Sequence, residues 1–137
     1  MLLFSLLGNV GNFTLVKAIA PAIMSILFLQ SGLDKVLNYK GNLDYFTDHF
    51  KNSPLSKSVG MLMPTITSLE VSAGIISAIG AVALLLGIEI LAYIGLLLSA
   101  VSLLCLFFGQ RIAKDYAGAG ALVNYFIAVV VGLLLLA

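Results

Sequence analysis

Four ionisable side chains stand inside or at the ends of long apolar runs: Asp34, Lys35, Glu70 and Arg111. A carboxylate and a cation withdrawn from water can hold each other as an ion pair, pass a proton, or grip a polar head group, and such residues in a membrane segment read first as functional. Gln30, Ser31 and Asn124 add neutral hydrogen-bonding groups along the same runs. Gln30 and Asp34 are one i, i+4 step apart and so share a helix face. Glu70 is the most exceptional, since the only other charged residues between Lys51 and Arg111 are Lys57 and Glu89. A lone carboxylate at membrane depth costs about 2–3 kcal/mol on insertion scales. Glu70 is therefore expected to face the interior and meet Lys35, Arg111 or Asn124, or else to carry a proton. Three uses fit it. It can lock helix register as a buried strut, line a pocket for a proton, a quinone head group or another small ligand, or contact a partner subunit.

The elements that must position these groups follow from composition. The 137 residues are 61% hydrophobic and 9% charged, and the mean hydropathy is +1.15. That excludes an ordinary soluble domain. Net charge is +1 with no basic run, which leaves nucleic-acid binding without a footing. One histidine, His49, and one cysteine, Cys105, cannot supply a two-histidine haem, a usual zinc site or an iron–sulfur cluster. No metal or redox cofactor is expected on ligands of this chain alone. His49 reads as a solvated loop residue and Cys105 as a small apolar packing residue.

Spans of about 20 residues fit four times, at roughly 17–35, 61–87, 88–110 and 117–137. Residues 1–137 thus form a single all-α domain, a polytopic membrane protein with a four-transmembrane-helix bundle. Met1–Val16 is broken by Gly8, Asn9, Gly11 and Asn12 and is expected at the interface or against the bundle. Pro21 and Pro64 fall in first turns, where a missing N–H does least harm. The loop over 36–60 carries Leu43, Phe46 and Phe50 at i, i+3 and i+7, the pattern of a short amphipathic helix in the interface or folded back on the bundle. Ala73, Ser77 and Ala81 form one small-residue stripe, Gly74 and Ala78 the next, and Gly95 and Ser99 a third pair. Such stripes let helices approach closely in lipid. The turn at Gly87 and Glu89 makes the second and third spans antiparallel neighbours.

Of the seven Lys and Arg residues, six (Lys35, Lys40, Lys51, Lys57, Arg111 and Lys114) fall in the first and third loops, and only Lys17 at the opposite end. The positive-inside rule then puts loops 36–60 and 110–117 in the cytoplasm and both termini outside. Asp34, Lys35, Glu70, Arg111 and Asn124 come to similar depth at the loop end. All four helices are expected to contribute to one polar cluster, with Gln30 and Ser31 as its lining.

The first span closes on Ser31-Gly32-Leu33-Asp34-Lys35. The second carries Leu69-Glu70-Val71-Ser72-Ala73-Gly74 and then Ala83-Leu84-Leu85-Leu86-Gly87. Over residues 15–137 this order resembles the DoxX family, small four-helix membrane proteins with a Ser-Gly-x-x-Lys motif at that place. The arginine that many members carry just after the second span is absent, and Glu89 stands nearby. The resemblance implies that Ser31, Gly32, Lys35 and Glu70 are the family's polar signature. It also implies a bacterial or archaeal inner-membrane subunit, multi-pass, linked to quinone-dependent oxidoreductase complexes and not catalytic alone. The expected partners are the lipid bilayer and other membrane subunits. Two functions follow: an accessory or anchoring component of a larger complex, or a quinone-linked redox subunit whose polar pocket surrounds Glu70. A small proton or solute transport module is the third.

Overall fold

The computed structural model describes residues 11–137, so the expectation for 1–10 lies outside the described residues. Five helices follow in order: α1 (Asn12–Leu37), α2 (Tyr39–His49), α3 (Val59–Leu85), α4 (Ile90–Ile112) and α5 (Tyr116–Leu136). All but α2 are long and apolar enough to cross a membrane, and together they form a four-helix membrane bundle.

α1 begins five residues ahead of the expected boundary, because Phe13, Leu15 and Val16 continue the apolar run and lie on its outer surface. Residues 12–16 are thus part of the α1 helix. One consequence is that Pro21 sits in the helix interior, buried, where it leaves the Lys17 carbonyl without its usual donor. Pro64 likewise falls in the second turn of α3.

Each long helix packs antiparallel to the next. α1 also packs against α5, closing a ring in which α1 and α4 touch across the centre and α3 and α5 do not. Met24, Phe28, Leu96, Leu103 and Val129 fill the middle. Small residues draw the helices close, as their stripes suggest. A Cβ built on Gly80 would stand 2.5 Å from the Ala92 backbone, and one on Gly95 2.7 Å from Ser77 Oγ.

The turns use one device twice. At the end of α3, Gly87 N–H donates to Leu84 O (3.0 Å) and Ile88 N–H to Ala83 O (2.9 Å), with Gly87 left-handed at φ 83°. This is a Schellman motif. At the end of α4, Lys114 takes the same role at φ 61°, which for a side chain with a Cβ costs about 1–2 kcal/mol. Asp115 then caps α5, its carboxylate accepting from Gly118 N–H at 2.9 Å. α1 passes into α2 at Asn38, whose N–H still donates to Asp34 O at 2.9 Å. The amphipathic loop helix exists, and it lies across the bundle end against α3 and α1. It has no fully buried residue.

Candidate functional site

Ser31 and Lys35 share one face of α1 and point at α3. Gly32, between them, makes the approach close: a Cβ there would stand 2.7 Å from Val71 Cγ2 and 3.1 Å from Val71 N. One turn up, a Cβ on Gly74 would stand 2.8 Å from Leu29 N. With the two backbones this near, short side chains can bridge them. Lys35 Nζ donates to Glu70 Oε2 at 2.9 Å and to Oε1 at 3.3 Å, and also to Ser31 Oγ at 2.9 Å. The Ser31 hydroxyl in turn donates to Glu70 Oε2 at 2.8 Å. The Ser-Gly-x-x-Lys spacing thus has a physical meaning here. The hydroxyl and the ammonium bind one carboxylate, and the glycine lets them reach it.

Glu70 is wholly buried and Lys35 nearly so. Glu70 lies about 16 Å into α3 at 1.5 Å per residue. Among the described residues no buried side-chain polar atom lacks a partner. The unit is satisfied within the chain, which a buried ion pair requires if its desolvation is to be offset. Two details leave it able to do more. Glu70 Oε1 receives only the longer Lys35 bond. The Lys35 ammonium also lies 5.8 Å from the centre of the Phe46 ring, a cation–π contact that a stronger acceptor could replace.

On the outer side of Lys35 a cleft of about 280 Å³ runs between α2, α3 and α4. Phe46 and Phe50 form its α2 wall, with Met63, Ile66 and Leu69 on α3 and Leu106 and Phe108 on α4. Lys35 is its one charged lining residue; Thr65 and Gln110 are the neutral polar ones. Leu62, Cys105 and Phe108 are exposed along it, so it opens sideways on the bundle's outer surface. Cys105 therefore lines a cleft and does not pack in the interior.

The expected cluster is smaller than the loop-end charges suggested. Gln30 and Asp34 lie one residue, about 100°, off the Ser31–Lys35 face and turn outward. Asp34 accepts a 3.3 Å bond from Asn42 at the surface. Arg111 is exposed and lies 4.4 Å from the centre of the Tyr116 ring. Asn124 is exposed on α5, five residues from each of the buried Ala119 and Val129, which turns it about 140° off the buried face. Only α1 and α3 supply the buried unit, because on α4 and α5 the helical phase carries these groups outward.

His49 is not a solvated loop residue. It is half-buried, 2.8 Å from Gln110 Oε1 and 3.6 Å from Asp115, and so ties α2 to the α4–α5 turn. Periodicity within α2 does not reveal those partners, which lie more than 60 residues on. At the far end Lys17 and Glu89 pair at 2.6 Å near the surface, a contact worth about 0–1 kcal/mol. Among the described residues no group of three or more His, Cys, Asp or Glu could hold a metal ion. Comparison with known proteins finds no matching family model, no matching curated protein and no matching solved structure.

Proposed function

We propose that the chain is a DoxX-like accessory subunit of a larger membrane complex, and that it lends the complex a site for the head group of a quinone. The observation that supports this is the lateral cleft ending on Lys35. Its volume is near the lower bound of small-molecule pockets, about 300 Å³. That admits a ring-sized head group, with a tail running out past Leu62 and Phe108 into lipid. A quinone carbonyl accepts hydrogen bonds and carries no charge, which matches one ammonium whose own charge Glu70 already balances. Lys35 is the contact residue in this account. Glu70 and Ser31 are positioning residues that fix the ammonium. The motif Ser31, Gly32, Lys35 and Glu70 supports the DoxX-like assignment, and the chain's own residues bring no redox centre to the reaction.

The test is purification in mild detergent followed by solvent extraction. The expected result is stoichiometric partner subunits and about one quinone per chain, the quinone lost in Ile66→Trp, which fills the cleft from its half-exposed α3 wall. A chain that purifies alone removes the accessory role. A chain that neither retains quinone nor takes it up when added removes the ligand.

By the positive-inside rule our reading has the α2 end cytoplasmic and the termini outside, and the DoxX-like resemblance supports a bacterial or archaeal membrane. A reporter fused after Ala137 is expected to read as external, and a cytoplasmic reading reverses this orientation.

A further inference from the structure

Asn124 sits about 12 Å into α5, near mid-span, on the surface that faces lipid. Among the described residues its carboxamide has no hydrogen-bond partner, and hydrocarbon offers none. Every N–H beyond the first turn of α5 serves the helix, so nothing on its own helix can donate to the Asn124 oxygen.

One turn away stands Gly120. The other glycines at the fifth position or deeper from either end of the spanning helices, Gly32, Gly74, Gly80, Gly95 and Gly132, each lie so close to a neighbouring helix that a Cβ would collide with it. A Cβ on Gly120 would meet nothing within 4 Å. A glycine weakens a helix interior, and no contact within the chain accounts for this one. Ala117 and Ala121 complete the same outward patch. Gln30, the other carboxamide that faces lipid, differs: exposed Asp34 shares its face, and Ile23, Ile26 and Leu33 around it leave no open glycine for a partner helix to approach.

We propose that this face of α5 is a homodimer interface, in which two copies cross at Gly120 and the Asn124 side chains bond to each other. The chemistry favours a second copy as the occupant. A carboxamide is at once donor and acceptor, so a two-fold axis through the patch satisfies both Asn124 side chains with one geometry. Gly120 supplies the close backbone approach that such short side chains need. Beyond Asn124 the face turns bulky, at Ile127 and Val131, so the helices diverge away from the α2 end. The interface is on α5 and the cleft between α3 and α4, so this proposal stands apart from the ligand.

The test is dimerisation in liposomes, read by single-molecule photobleaching across a range of protein-to-lipid ratios. The wild-type chain is expected to dimerise, Asn124→Val to weaken the dimer about tenfold, and Gly120→Leu to abolish it. Both substitutions lie in open space and leave the fold intact, which circular dichroism checks. On a Cys105→Ala background, Asn124→Cys is expected to form a disulfide between copies, and Ile26→Cys is not. A wild-type monomer at every ratio overturns the proposal. So does a dimer indifferent to both substitutions, or an Asn124→Cys crosslink to a different protein only.

Discussion

Lys35→Met destabilises the folded chain by about 3–5 kcal/mol, the usual cost of removing one partner from a buried ion pair. The Glu70 carboxylate is wholly buried, and without Lys35 its one remaining bond is the 2.8 Å contact from Ser31. Most of the loss belongs to this stranded carboxylate and not to the missing attraction. The double variant Lys35→Met, Glu70→Met therefore recovers most of the stability, since buried pairs replaced by apolar groups of similar size are often neutral. Equilibrium unfolding in mixed micelles measures both. A double-mutant cycle gives a favourable coupling of several kcal/mol between the two positions. If the two single losses simply add, the side chains are not coupled and the buried pair is wrong.

Gly74→Leu is expected to cost about 3 kcal/mol or more, the upper range for overpacking a tight contact. Its side chain starts 2.8 Å from the Leu29 backbone nitrogen, which cannot move as a side-chain tip could. α1 and α3 must then part, and that also pulls Ser31 and Lys35 from Glu70 one turn away. Gly74→Leu should thus abolish the coupling measured by the cycle as well as lower stability. Gly120→Leu is the control: a Cβ there meets nothing within 4 Å, so monomer stability is expected to be unchanged or slightly raised by the better helix former. Helix propensity alone favours Leu over Gly at both positions, so a gain at Gly74 equal to that at Gly120 would show that close packing does not set the effect.

Much of the fold was legible because it rests on local signals. Spans follow from runs of Leu, Ile and Val. Helix contacts follow from small residues such as Ser77 and Gly95, which do face each other. The meeting of Lys35 with Glu70 was also within reach, since a carboxylate at that depth needs a partner and Lys35 ends the neighbouring span. Depth along the span does not give direction, which helical phase sets. Gln30 and Asp34 are as near to Glu70 along the chain as Ser31 and Lys35 are. They lie one residue off the inward face, and at 100° per residue that turns them to the outside. Arg111 and Asn124 fail for the same reason, although the buried positions Ala92, Ser99 and Ser102 on α4 carry a spacing from which its inward face could be drawn. The cleft and the His49–Gln110 contact could not be read from any pattern. They form only where α2 folds back over α3 and α4, through a turn region with no periodicity of its own.

The chain's central property, in this account, is a quinone head group held against Lys35. The most direct test is photolabelling of the purified chain in liposomes with a short-tailed azido-benzoquinone, the attachment points mapped by mass spectrometry. The label is predicted to fall on the cleft walls, within 62–69 of α3 and 105–110 of α4. Excess unmodified quinone should displace it, and Ile66→Trp should abolish it. Label spread over the lipid-facing surfaces of all four spanning helices, undiminished by excess quinone, would contradict the account.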